Sequence, residues 1–286
     1  MPGTLFVVAT PIGNLEDLTF RALRILGEVD LIAAEDTRRT SKLLAHYEIR
    51  KPLVSLHEHN EFREAPKLIE RLAAGASIAL VSDAGTPSVA DPGARLVQSA
   101  RNAGIPVVPI PGASAVATAL SASGFDASHY VFRGFPPAKG QARQVWLESI
   151  RLEPAVQVLF ESPHRIRRTL SDLNTILAIR QIYVFRELTK INEESGLYPN
   201  ISNNDWPTER GEFTIVISPG DDQSAGLAPD ILDNKELIEL FHQLSSAAAL
   251  ARDTAVELVA MRFGRSVSDV KKIVKKAIIL AKQQNG

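Results

Sequence analysis

The chain has 286 residues, 45% of them hydrophobic and 23% charged, with no cysteine. That suggests about two globular domains, excludes disulfides and Cys-based zinc sites, and permits a reducing cytoplasm. The formal net charge is −1, so any nucleic-acid surface has to be local.

The opening apolar run Leu5–Ala9 is short and the first cation is Arg21, which does not make a signal peptide. Leu5–Ala9 reads as a strand and Thr19–Leu26 as a helix. Leu31–Ala34 and Leu53–Ser55 read as strands, each followed by a helix, Thr40–His46 and Glu61–Ala74. The apolar run Ser77–Val81 precedes a helix at Pro92–Ala103, and Val107–Ile110 precedes one from Ser114. Asn102 to Phe125 carries no charge, but Pro106, Pro109, Pro111 and Gly112 break a spanning helix. It reads as a buried strand, a turn and a small-residue helix. Alternation of this kind argues for a mostly parallel sheet covered by helices.

Ser121–Ser128 is rich in Ser, Gly and Ala and reads as a linker. Beyond it Tyr130–Phe132, Val156–Phe160, Gln181–Phe185 and Phe213–Ile217 read as strands, with helices at Ala142–Ile150 and Arg165–Leu177. Ser218–Pro229 reads as a second linker, followed by an all-helical tail from Lys235 to about Lys282. The expected organisation is an N-terminal α/β domain over 1–120, a second over 121–225 and a helical basic tail over 226–286. The tail holds Arg265, Lys271, Lys272, Lys275, Lys276 and Lys282 against Asp269 after residue 264. It is either a solvated helix face or an RNA-docking element.

In open α/β sheets ligands bind at the carboxyl ends of strands, and the loops there are loaded. Thr10-Pro11-Ile12-Gly13-Asn14-Leu15 lets the backbone turn tightly; it is neither GxGxxG nor a P-loop. Glu35-Asp36-Thr37-Arg38-Arg39-Thr40 is either a helix start capped by Thr37 or Thr40, or a charged functional loop. In His57-Glu58-His59-Asn60 the two histidines share a face of an extended segment. No third metal ligand can be placed, so contacts to a substrate fit better than a metal. Ser82 to Gly93 is the most specific string: small residues Ala84, Gly85 and Thr86 permit close approach, Asp83 and Asp91 supply acceptors for an amino group, and Pro92 suits a first helical turn. In Pro111-Gly112-Ala113-Ser114 the serine can cap the following helix. Glu161-Ser162-Pro163-His164-Arg165, with Arg167 and Arg168 after it, opens a helix as a natural anion site, and Arg186 to Lys190 follows a strand in the same way.

Together these strings, in order and over roughly residues 4–218 with Gly211-Glu212-Phe213 among them, resemble the tetrapyrrole methylase fold family, and within it the branch that methylates a cytidine ribose 2′-hydroxyl of small-subunit ribosomal RNA. The resemblance implies α/β architecture: two domains with a cleft between them, plus a C-terminal helical extension. It implies S-adenosylmethionine near Pro11, Gly13, Ser82, Asp83, Ala84, Gly85, Thr86, Asp91, Pro111, Gly112 and Ser114. It implies 16S rRNA or an assembled 30S subunit as partner, a cytoplasmic homodimer, and no membrane or metal.

A ribose hydroxyl is a weak nucleophile, so a base or charge stabiliser is expected. Glu35, His57, Glu58, Glu161, Glu187 and Lys190 are open choices, the lysine if desolvation lowers its pKa. Glu35, Arg38, His59 and Lys190 form the expected catalytic group, and His57, Asn60, Glu161, His164, Arg165 and Glu187 the expected substrate contacts. The alternative is a small-molecule corrin or porphyrin methyltransferase on the same fold; its usual GxGPGD loop is replaced here by Ala9-Thr10-Pro11-Ile12-Gly13. A non-catalytic RNA-binding relative and an unrelated nucleotide-binding α/β protein complete the set.

Overall fold

The structure is a computed structural model that describes residues 2–177, 180–198, 208–220, 234–246, 251–262 and 266–284. The Asn-rich stretch Asn200–Asn204 and most of the Ser218–Pro229 linker lie outside the described residues. The chain forms two compact units. The first combines Met1–Gly124, Val184–Gly196 and Arg210–Ile215; the second combines Phe125–Tyr183, Leu197–Glu209 and Val216–Gly286.

The first sheet holds β1 (Leu5–Val8), β2 (Leu31–Ala34), β3 (Leu53–Ser55), β4 (Ile78–Val81) and β5 (Val107–Ile110) in the order β3-β2-β4-β1-β5. Every pairing is parallel, and the register sets Ala34 against Val81 and Ser55, and Val8 against Ile110. The carboxyl ends therefore lie level along one edge, which gathers the five loops that follow them. β2 and β4 are buried at every position, as expected for central parallel strands with both faces covered. β5 is not: Val108 and Pro109 are exposed, so the expected buried strand is an edge strand.

Helices cover both faces. Ala22, Ile25 and Leu26 of α1 (Phe20–Glu28) and Leu44 of α2 (Thr37–His46) pack with Val8, Ile32 and Val81. Ala65, Leu68 and Leu72 of α3 (Glu61–Ala73) and Leu96 and Ala100 of α4 (Ala94–Asn102) pack with Leu5, Ala33 and Leu80 on the other. The spacings follow helical period, and each buried leucine contributes roughly 1.5–3 kcal/mol.

Several boundaries differ from expectation. α2 begins at Thr37, not Thr40, because the Asp36 carboxylate accepts from Arg38 N and is the cap. Pro92 precedes the next helix rather than opening it: Gly93, at φ 120°, turns the chain, and Glu61 Oε1 accepts from Arg95 N and Leu96 N. α5 (Ala115–Ser123) extends into the expected linker and stops at Gly124, left-handed at φ 74°. A short 3-10 turn, Leu15–Asp17, was not anticipated.

The second sheet holds β6 (Tyr130–Phe132), β7 (Val156–Glu161), β8 (Ile182–Arg186), β9 (Glu194–Tyr198) and β10 (Phe213–Ile217) in the order β6-β7-β10-β8-β9. β9 escaped the sequence reading because Glu194-Ser195-Gly196 has poor strand character. α6 (Gly140–Leu152) and α7 (Ile166–Leu177) belong to the second unit, as do α8 (Asn234–Ser246), α9 (Arg252–Arg262) and α10 (Val267–Gln284). No helix among the described residues is long and apolar enough to cross a membrane.

Candidate active site

The strand-end loops of the first unit are stitched to one another. Thr10 and Gly85 exchange backbone hydrogen bonds of 2.9 and 3.0 Å, and Thr10 Oγ1 donates to Ser82 O. Thr86 Oγ1 donates to Ala113 O, joining the loop after β4 to the loop after β5. Asp36 N donates to Asp83 Oδ1 at 2.9 Å and Asp83 N to Glu35 Oε2 at 3.3 Å, joining it to the loop after β2. Ser55 Oγ donates to Glu35 O, Asn60 Nδ2 to Ser55 O and His57 N to Asn60 Oδ1, which brings in the loop after β3. Thr10, Ser82, Asp83, Gly85, Thr86 and Ala113, with Glu35, His57 and Asn60, thus share one bonded network that ties the expected cofactor loops together. Thr10 is the link that sequence reasoning gave no role.

The loop after β4 is strained. Ser88 and Ala90 sit at φ 67° and 65°, beside Gly85 at 78° and Gly93 at 120°. Left-handed non-glycine residues cost on the order of 1 kcal/mol each and concentrate at ligand clamps. Carboxylates crowd the same place. Burial pushes Asp91 up to about 6, and the Glu35 and Asp83 charges add to the effect. Burial also raises Glu35, with the Asp83 charge helping. Arg39, 3.6 Å from Asp83, is the nearest cation in an ion pair. A cationic ligand would relieve this excess of negative charge.

Gly13 faces a loop that follows the second sheet. A Cβ there would run into Lys190 Cγ and stand 2.9 Å from Thr189 Oγ1. Asn14 N donates to Thr189 Oγ1 at 3.1 Å. The glycine serves close packing of two loops. Glu187 and Thr189 are both left-handed, at φ 54° and 67°, which is unusual for a β-branched residue. Gly211 leaves room for Glu187: a Cβ would lie 2.5 Å from the Glu187 carboxylate.

Lys190 Nζ lies 2.8 Å from Glu187 Oε1 and 2.9 Å from Glu212 Oε2. Burial alone would lower its pKa, but the two carboxylates outweigh burial and hold it above the ordinary lysine value. Of the open choices for a base, a lysine made neutral by burial is the one this pairing opposes. Glu187 moves the other way: burial opposes ionisation, yet Lys190 and the Glu212 backbone keep it below the ordinary range. Glu212 is a partner that the sequence did not assign.

Arg38 is 88% exposed and grips Asp36, its own helix cap, at 2.7 Å. That pair of bonds holds Asp36 far below the ordinary carboxylate range. The His57 and His59 rings meet edge to face with centroids 5.9 Å apart. His57 Nδ1 is buried without a hydrogen-bond partner among the described residues, while Glu58 and His59 are exposed. No cluster of three His, Asp or Glu groups fit to hold a metal occurs among the described residues.

The remaining expected contacts, Glu161, His164 and Arg165, belong to the second unit. Glu161 is not presented to solvent: its side chain is 0% exposed and its oxygens accept from Ser162 N, Arg165 and Thr169 Oγ1 at 2.6–2.7 Å. Arg143 extends the network, donating to Thr169 Oγ1 and ion-pairing with Asp172 at 2.7 Å. Arg165 also donates to Pro136 O and Ser162 Oγ. His164 stands exposed at the surface of this corner.

The sequence profile of the tetrapyrrole (corrin/porphyrin) methylases matches residues 4–197. A protein of Haemophilus influenzae called ribosomal RNA small subunit methyltransferase I is 44% identical, covering 88% of this chain and 92% of its own. Its namesake in Xylella fastidiosa is 46% identical, covering 88% and 94%. These alignments cover more than residues 4–218 and therefore enter the helical tail. The solved structure of a diphthine synthase superposes with a TM-score of 0.57 at 15% identity, covering 76% of this chain and 90% of that one, and shows the shared fold.

Proposed function

The chain belongs to the tetrapyrrole (corrin/porphyrin) methylase family, and on that premise we propose that it is the S-adenosylmethionine-dependent methyltransferase that acts on small-subunit ribosomal RNA, at a cytidine ribose 2′-hydroxyl. The observation that carries the reading is the strapped loop Ser82–Gly93, whose carboxylates are short of a cation, in a chain 44–46% identical to ribosomal RNA small subunit methyltransferases I.

The residues present fit the cofactor. Asp83, Asp91 and Glu35 offer acceptors to cationic groups, and the bonded loops 10–13, 82–86 and 111–114 form a rigid cradle of backbone and small side chains. When bound, S-adenosylmethionine supplies an activated methyl group on a sulfonium. The protein's task is then to hold the ribose oxygen in line at about 3 Å. Pro11, Gly13, Ser82, Ala84, Gly85, Thr86, Pro111, Gly112 and Ser114 are assigned to the cradle.

Glu35, whose pKa burial raises, is assigned to take the hydroxyl proton, a contribution of about 10²–10⁴-fold for a well-placed base. Lys190 stays charged and acts by charge, held by Glu187. Arg38, His57, His59 and Asn60 are assigned to RNA contact on the first unit; on the second unit, taken by itself, His164 and Arg165 are assigned to it too, with Glu161 positioning Arg165. The same reading takes the enzyme as a cytoplasmic homodimer with domains near 1–120, 121–225 and 226–286.

The test is incubation with tritiated S-adenosylmethionine and small subunits from cells lacking this gene. Label at a ribose 2′-oxygen of 16S rRNA is the expected result. Cofactor binding with unlabelled RNA would overturn the substrate assignment and turn attention to small molecules.

A further inference from the structure

The second unit ends in a helical module that the transfer chemistry does not use. Leu237, Phe241 and Leu244 of α8, Ala255, Val256, Leu258 and Val259 of α9, and Val270 and Val274 of α10 form a core of their own. Val145 and Leu152 of α6 pack against it, so the module is attached to the rest of its unit. α9 ends at Arg262 and α10 begins at Val267. Ser266 starts the second helix: its hydroxyl accepts from Asp269 N and donates to Asp269 Oδ2, a capping arrangement.

α10 buries Val270 and Val274 and turns Lys271, Lys272, Lys275 and Lys276 to solvent. Lys271 reaches Asp253 at 2.9 Å and Lys272 lies 3.8 Å from Asp269. Those pairs are exposed and weak. Lys275 and Lys276 have no ion-pair partner among the described residues. Lys271, Lys272 and Lys275 lie beside Val267 and Ser268 on one open patch of the α10 surface. This happens in a chain whose net charge is −1, so the basic surface is local.

We infer that α8–α10 docks the enzyme on the phosphate backbone of ribosomal RNA, with the lysine row of α10 as the contact. The inference rests on the RNA reading above and adds where the substrate is gripped away from the reacting ribose. Contacts to phosphates position a protein without reading sequence. The row therefore contributes affinity and orientation and leaves the chemical step alone.

The triple variant Lys272→Ala/Lys275→Ala/Lys276→Ala tests it. Binding to naked 16S rRNA and to assembled 30S subunits is measured from 50 to 250 mM salt, beside thermal unfolding, S-adenosylmethionine affinity and methyl transfer. The expected result is about tenfold weaker RNA binding at 0.1 M salt. The slope of log affinity against log salt should flatten by about 2, because each lost phosphate contact removes roughly 0.7–0.9. The triple arginine variant should restore both. Wild-type affinity and slope in the alanine variant would overturn the inference. A defect confined to subunits, with naked RNA bound normally, would also overturn it and point to a ribosomal protein as the partner. Binding is read without turnover, so the two ideas separate. A salt-dependent defect in a protein that never labels rRNA sinks the activity and keeps the docking; full labelling with unaltered binding does the reverse.

Discussion

The strand-end loops of the first unit and the Glu161–Arg165 corner of the second carry dense charge, and they use it in opposite ways. Around Asp91 the carboxylates outnumber their cations, two side chains sit at left-handed backbone angles, and burial pushes one acid up to about 6. Around Glu161 every charge has its partner: Arg165, Thr169 and Ser162 N satisfy the acid, and Asp172 satisfies Arg143. The first region is left with negative charge that a cationic ligand would offset, as the proposed function requires. The second is a closed brace that happens to be written in the same residue types. A charged motif in a sequence is thus only half a statement. The other half is whether the fold supplies its counter-charges.

Breaking the brace should have the largest effect. Glu161→Ala leaves Arg165 and Thr169 without their buried partner, and removing one member of a buried pair costs about 3 kcal/mol or more. Urea unfolding should show that loss while S-adenosylmethionine affinity, measured by calorimetry on the folded protein, changes less than twofold. Collapse of cofactor affinity with stability intact would place Glu161 with the site and erase the distinction between the two regions. Next comes Gly13→Ala. The added methyl has to displace Lys190 Cγ and crowd Thr189, and overpacking typically costs 1–3 kcal/mol. Here the loss should appear in cofactor affinity, about tenfold, with a smaller fall in melting temperature. An unchanged dissociation constant would mean that the contact between loops 10–15 and 187–190 does not shape the cradle.

The sequence made the first region legible because its logic is local. Apolar runs such as Ile78–Val81 fix the strands, and in a parallel sheet the strand ends name the loops. Ser114 as a cap could be read from one residue and its successors, and the structure bears it out. What escaped needed long-range partners. Lys190 looks like a lysine that burial would neutralise until Glu212, 22 residues away, is brought to it. Pro92 suggests a helix start until Glu61 of the preceding helix is seen capping Arg95 and Leu96. β9 has weak strand character and is held at the sheet edge by tertiary contacts, among them Arg186 to Glu194 at 3.2 Å.

A smaller effect sharpens the contrast through pH. Burial pushes Asp91 in the folded protein from its ordinary 3.8 up to about 6. A carboxyl raised in this way favours the folded state fully below about pH 4 and loses that contribution as pH rises through about 6. Asp91→Asn should therefore stabilise the cofactor-free protein at pH 8 by about 1 kcal/mol, a value discounted for the solvent that still reaches the group. A cationic ligand favours the ionised acid, so wild-type S-adenosylmethionine affinity should rise severalfold from pH 5 to pH 7. The asparagine variant should lose most of that dependence and bind more weakly at pH 7. Identical pH profiles for the two proteins would remove Asp91 from cofactor recognition.

Lys190 is where both regions' habits meet: a fully paired charge placed beside the strained loops. Its two carboxylates keep it protonated, so its use to the reaction is a fixed positive charge. Lys190→Arg keeps that charge and should cost no more than about threefold in kcat, with the pH–rate profile unmoved. Lys190→Gln removes the charge, leaves Glu187 and Glu212 facing each other, and should lower kcat about tenfold while S-adenosylmethionine affinity stays within twofold. If a neutral lysine were the base, arginine would fail as badly as glutamine and the wild-type rate would climb with pH toward the lysine's own titration. That climb would return Lys190 to the role its sequence position suggests, and it would mean that the pairing with Glu187 and Glu212 opens when RNA binds.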